Sequence, residues 1–226
     1  TLDFAADNAV IFNGGAATTF TNTGLLLKSG GAGTTSIGNG LNFDNQGVVD
    51  VQTGTLALPA NFSNNGTLMG TGSYAVAGTL FNAGTVAPGA SPGTLALAGN
   101  YLQGAGGSFA VDLESLASHD LFNISGSAAL GGTLALSCHA ACSYAVGDVF
   151  TILDAVGELS GSFSQITLSG FASGAFDVIY DTAGDRVQLQ VTQAVTAVPE
   201  PGSWALMAAG LLAVARLARL ARRRQR

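Results

Sequence analysis

Apolar residues alternate with small polar ones along most of this chain, in runs too short for a helix. "LLL" at 25–27, "VVDV" at 48–51, "TLM" at 67–69 and "TVA" at 85–87 are each bounded by glycine or polar residues. A helical face would need apolar positions spaced by three and four over ten or more residues, and the body has no such period. Alternation punctuated by turns predicts strands.

The runs recur, each behind a Phe or Leu, any residue, Asn, any residue, Gly. The motif reads "FTNTG" at 20–24, "FDNQG" at 43–47, "FSNNG" at 62–66 and "LFNAG" at 80–84. Its asparagines, Asn22, Asn45, Asn64 and Asn82, lie 23, 19 and 18 residues apart. A period near 20 marks a solenoid. The expected fold is all-β: a right-handed parallel β-helix whose inward Phe, Leu and Val stack from coil to coil. Glycine supplies positive φ at the corners and Asn tolerates the same region. Aligned asparagines would form a ladder that satisfies the turn backbone. Phe43 and Phe62 share the parity of the asparagines, so the corner is expected to break simple alternation and send the rings inward.

At about 4.8 Å per coil, the residues to Gln103 make about five coils and a stub about 24 Å long. Its last coil needs cover. The expected division is repeats over 1–103, a β-rich cap over 104–192, a linker at 193–197 and a tail at 198–226.

Charge separates the tail from the rest. Residues 1–215 hold two basic and fourteen acidic residues, a net −12, and residues 216–226 hold six arginines, +6. "WALMAAGLLAVA" at 204–215 has no charge. A spanning helix needs about 20 residues; the stretch reaches that length if Arg216 and Arg219 snorkel. Trp204 would sit at one interface, and Leu206, Leu211, Leu212 and Val214 in the bilayer. Arg216, Arg219, Arg222, Arg223, Arg224 and Arg226 would mark the cytoplasmic side. An amphipathic soluble helix is the alternative.

Val198-Pro199-Glu200-Pro201, the apolar run and the terminal arginine cluster together resemble a PEP-CTERM sorting signal, a region also labelled an ice-binding protein C-terminal domain. The resemblance implies export in a Gram-negative bacterium, transient anchoring in the inner membrane with the C-terminus cytoplasmic, and cleavage near Pro-Glu-Pro by an exosortase-type enzyme. The prolines keep the cleavage segment extended. The chain opens on Thr1-Leu2 with no leader pattern, which suits a fragment or a processed chain.

A second resemblance covers about 89–192. Gly99-Asn100-Tyr101, then "GGTL" at 131–134, then "GDVFTIL" at 147–153 are similar to the end of β-helical autotransporter passengers and related surface repeat proteins. It implies a β-helical or β-rich region; a sorting tail stands where an autotransporter has its barrel. "FDVIYDTAGDRVQLQV" at 176–191 predicts a hairpin turning at Gly184.

Chemistry is sparse. "GASPG" at 89–93 matches a nucleophile elbow, but prolines flank Ser91 and no helix follows, so a turn is expected. In "SHD" at 118–120, neighbouring side chains point to opposite faces, and His119 is read as an exposed loop residue. Cys138 and Cys142 enclose His139 in "CHAAC" without a second ligand cluster for zinc. Their spacing leaves free thiols or a disulfide, which would add about 2 kcal/mol in an oxidising compartment.

No cofactor or metal is expected, and a body at −12 excludes nucleic acid. Lys28 and Arg186 are the only bases outside the tail, and no spacing pairs Asp112, Glu114, Asp148, Asp154 or Glu158 for glycoside chemistry. "TFTNT" at 19–23 and "TGT" at 53–55 fall out of phase and build no ice-matching array. The expectation is a non-enzymatic β-solenoid of the cell surface or extracellular matrix. Its role is structural or adhesive, and its expected partners are the inner membrane, an exosortase-type enzyme and extracellular polysaccharide. A polysaccharide-active enzyme and an ice-binding solenoid are the alternatives.

Overall fold

The computed structural model describes residues 1–195 except 12, 17, 39, 90, 91, 139–141 and 173. Those residues form strands and turns, with no helix among them. Three faces repeat along the chain. The first stacks β1 (Leu2–Asp3), β4 (Leu25–Lys28), β7 (Val48–Val51), β10 (Thr67–Gly70), β12 (Thr85–Pro88), β14 (Ser108–Ser115), β18 (Thr133–Ser137) and β21 (Gln165–Ser169). The second stacks β2 (Ala9–Val10), β5 (Thr34–Ile37), β8 (Thr55–Leu58), the first halves of β11 (Ser73–Asn82) and β13 (Thr94–Gln103), β16 (Leu121–Ile124) and β19 (Val149–Ala155). The third holds β3 (Thr18–Asn22), β6 (Leu41–Asn45), β9 (Ser63–Asn64), the second halves of β11 and β13, β17 (Ala128–Leu130) and β20 (Leu159–Gly161).

Every pairing along these faces is parallel. Each strand therefore meets the equivalent strand one coil away, as in a β-solenoid. The last asparagine motif ends at Gly84, yet parallel pairing runs on to β21. The antiparallel pairs are local. β15 (Ser118–His119) folds back on β14, and β23 (Arg186–Val191) joins β22 (Phe176–Asp181) in a hairpin laid against β19.

Alternation explains the core. β4, β7, β10 and β12 each read half-buried, buried, half-buried, buried. Leu26, Val49, Leu68, Val86, Phe109 and Leu134 fall in one register line, each at 0% exposure. On the third face Phe20, Phe43 and Phe62 stack with centroids 5.3 Å apart at each step. Leu80, Tyr101, Ala128 and Leu159 extend that column.

The alternation is not broken at the motif. Phe43 and Asn45 are both buried, with Asp44 pointing out between them. Phe and Asn thus enter the interior together, because the Asn finds its partners there. Asn22 Nδ2 donates to Asn45 Oδ1 at 2.8 Å. Asn45 donates to Asn64 at 2.9 Å, and Asn64 to Asn82 at 2.9 Å. The same amide nitrogens reach the opening carbonyls of the next coil, Val48 at 3.0 Å and Thr67 at 3.3 Å. The chain of amides continues past the motif. Asn82 donates to the Tyr101 hydroxyl at 3.2 Å, which donates to Gln103 Oε1 at 2.7 Å. Gln103 ends the line on the carbonyls of Gly131 and Thr133 at 2.8 and 2.9 Å.

The glycine of the motif is a spacing requirement. A Cβ on Gly66 would run into the Gly47 carbonyl oxygen, and one on Gly84 into that of Gly66. Side chains are excluded because the backbones of successive corners touch.

Near the first coil lies an ion pair. Lys28 points inward at 0% exposure and donates to Asp7 Oδ1 at 2.9 Å, Gly30 O at 2.9 Å and Gly31 O at 3.2 Å. All three ammonium protons are used. The hydrogen bond from Lys28 holds the Asp7 carboxyl below the usual carboxylate range.

Phe62→Ala should leave a cavity in the aromatic column and cost about 3–5 kcal/mol. Asn64→Ala should cost about 2–4 kcal/mol, since it strands the Asn45 amide and the Asn82 carbonyl in the interior. Gln46→Ala, at an exposed corner, should stay within about 0.5 kcal/mol. Urea unfolding of the three variants separates these values, and equal small losses would refute a packed ladder.

Candidate functional site: a groove along the solenoid and a sorting tail

Where the second face bends into the third, the surface is hollow. Two adjoining depressions of about 430 and 470 Å³ share Ala98. A third, of about 250 Å³, lies beside them on the third face around Asn100 and Glu158. The bend itself needs residues without Cβ: Gly78 and Gly99 have φ of 97° and 144°. A Cβ on Gly99 would meet the Val76 carbonyl oxygen.

Outward rows of small residues form the floor. Ser36, Ala57, Ala75 and Ala98 stand in register on four successive coils. Beside them run Thr34, Thr55, Ser73, Ala96, Asn123 and Asp154. Short side chains on this line leave the volume open. The groove gains carboxylates only at its C-terminal end, where exposed Asp154 and Glu158 flank the bend of one coil.

Other outward positions also align. Thr67, Thr85, Ser108 and Thr133 make a single hydroxyl row on the first face, beside Met69, Ala87, Ala110 and Ala135. The second row, two residues on, is thus apolar, and no Thr-x-Thr array results.

The chemistry-bearing residues are mostly held by structure. Asp120 is buried and accepts from the Gly93 and Asp112 amides at 2.7 and 2.9 Å, clipping β14 to the start of β13. Asp112 accepts from the Ser137 hydroxyl and Asp148 from the Ala145 amide at 2.8 Å. Arg186 sits 3.7 Å from Asp181. His119 is not the exposed loop residue that its sequence neighbours suggest. It lies on β15, half-buried, with Nε2 3.1 Å from the Thr151 carbonyl oxygen and its ring edge-on to Phe150 at 5.3 Å. The β14–β15 turn folds it against β19, a long-range contact that local polarity does not encode. Tyr144 packs on the same Phe150 at 4.9 Å. Among the described residues no cluster of three or more His, Cys, Asp or Glu is placed to hold a metal.

Cys138 and Cys142 are joined by a disulfide with Cα atoms 6.2 Å apart. His139, between them, and Ser91 lie outside the described residues. So does the whole tail: Val198, Pro199, Glu200 and Pro201, the apolar segment from Trp204 to Val214, and the arginines from Arg216 to Arg226. Among the described residues no helix is long and apolar enough to cross a membrane.

Residues 197–224 match the family described as the PEP-CTERM protein-sorting motif. The chain carries a PEP-CTERM sorting motif. The match covers the Pro-Glu-Pro, the apolar run and most of the arginine cluster. A PEP-CTERM motif implies export and membrane-anchored sorting by an exosortase, itself a membrane enzyme. No curated protein matches the chain.

Burial pushes up the pKa of all four tyrosines, that of Tyr144 to about 12, with Glu114 nearby adding to the effect there. In the unfolded chain they ionise near 10. Between these values the folded protein holds more protons than the unfolded one, so stability falls as pH rises. Tyrosine absorbance followed against pH should show ionisation displaced above pH 10, with a cooperative loss of fold as the rings ionise. Ordinary titration centred at 10 with the circular dichroism intact would contradict the burial of these rings.

Proposed function

We propose that this protein is a non-enzymatic scaffold of the cell surface or extracellular matrix, adhesive through its groove. The groove binds extracellular polysaccharide. The tail holds the exported chain in the inner membrane as a single helix, C-terminus in the cytoplasm, until an exosortase-type enzyme cuts near Pro199-Glu200-Pro201. Winding is right-handed, the hand favoured for crossovers between parallel strands. The observation that carries this reading is the continuous groove of small outward residues, borne on coils whose register a buried amide ladder fixes. A long, shallow channel, uncharged over most of its length, suits a polymer better than a small metabolite, which calls for an enclosed pocket with convergent polar groups.

A binding role is supported by the fate of the two bases. Lys28 lies inside the solenoid and Arg186 is engaged with Asp181, so neither is free to act on a substrate in the groove.

Three measurements test the proposal. Mass spectrometry of mature protein from the native host should show the chain ending near residue 200; an intact arginine cluster on secreted protein refutes processing. Replacing Pro199, Glu200 and Pro201 together by alanine should keep the full-length chain in the membrane fraction. Purified protein should also co-sediment with the host's matrix polysaccharide, and Ala75→Trp, which fills the groove, should abolish this. Binding unchanged by that substitution would place the contact elsewhere.

A further inference from the structure

The groove has a charge preference that narrows its partner. Residues 1–195 hold thirteen acids and two bases. One base, Lys28, is at 0% exposure, and the other, Arg186, is held by Asp181 at 3.7 Å and by the Gly184 carbonyl at 3.1 Å. The surface therefore presents acids almost without compensation. An anionic polymer is repelled by such a field, and a cationic one is drawn to it.

Within the groove the charge is localised. The channel on the second face is uncharged from the coil of Ser36 to that of Asn123 and then reaches Asp154, while Glu158 lines the separate depression on the third face of the same coil. Both carboxylates are exposed and neither has a hydrogen bond or ion pair to another described residue. Arg186 stands opposite Asp154 in the antiparallel pair, but its guanidinium contacts lie on the hairpin. Uncharged donors and acceptors line the approach. Asn123 is in register with Asp154, and Asn100 accepts from the Ser127 amide at 3.0 Å while keeping its own NH₂ for a ligand.

We infer that the groove takes a cationic amino-sugar polymer, with sugar hydroxyls along the Ser and Asn positions of the floor and ammonium groups beside Asp154 and Glu158. From the coil of Ser36 to that of Asp154 there are five steps, about 24 Å, which seats several sugar units. This rests on the polysaccharide reading of the groove and adds the sign of the polymer's charge.

The test compares two oligomers with one backbone, glucosamine and N-acetylglucosamine, by calorimetry on the protein lacking its tail after processing. The glucosamine oligomer should bind about five- to tenfold more tightly at low salt, as expected for two exposed ion pairs, and lose that advantage at high salt. The double variant Asp154→Asn, Glu158→Gln should remove the advantage, so that the variant binds the two oligomers equally. Both substitutions are on exposed side chains, and circular dichroism checks the fold. Equal binding of the two oligomers overturns the charge preference while leaving the groove reading intact. No binding of either overturns both. A glucosamine advantage that survives the double variant assigns the attraction to the general acidic surface and overturns the site. Tighter binding of an oligolysine of equal charge overturns the sugar and favours an extended peptide.

Discussion

A primary amide sealed inside a protein must place two donor protons and an acceptor oxygen, or lose a few kcal/mol. Asn45 and Asn64 are sealed in this way, at 0% exposure. Their solution is each other. Asn22, Asn45 and Asn64 each donate to the amide of the next coil and to the carbonyl that opens the next coil's first-face strand, Asn64 reaching the Gly66 carbonyl as well. This only closes if neighbouring coils are in register at one residue, and so the ladder fixes the pairing of all three faces. A slip by one residue would turn every inward Leu, Val and Phe to solvent. Gly47, Gly66 and Gly84, after the later rungs, complete the constraint by letting successive corners approach to contact.

The groove follows from that register. Since β11 and β13 are continuous through the bend, with Gly78 and Gly99 at its apex, the second and third faces meet at a hollow rather than at a protruding loop. Small residues then align coil after coil because the ladder keeps them in step. Charge sits outside this frame. Acids decorate the exterior, the one lysine is enclosed, and the arginine-rich tail holds nearly all the remaining positive charge. That separation fits a chain whose end is held at a membrane while its body is delivered beyond it.

The asparagine motif was legible because each copy keeps one spacing to its Phe and its Gly. Its continuation was not. Tyr101 and Gln103 take over the ladder with side chains that share no letter with the motif, and they succeed because a longer amide and a hydroxyl span the same gap. Later coils likewise lack the motif yet pair in parallel, held by Phe109, Phe122 and Leu134 in the core. Asp120 gave no signal beyond its place in "SHD", and its two amide partners come from segments 8 and 27 residues away.

The sequence alone determined strand alternation, the coil period, the inward asparagines' spacing and the sorting tail, since each is written in consecutive residues. Only the tertiary structure decided that Phe and Asn share the interior, that Lys28 is enclosed against Asp7, and that His119 packs on Phe150. It also decided that Ser36, Ala57, Ala75 and Ala98 line one groove that reaches Asp154. The reason is the same in each case. A solenoid brings together residues one coil apart, and where coil lengths vary from 18 to 32 residues the partners follow from the register of backbone hydrogen bonds, not from any fixed spacing in the chain.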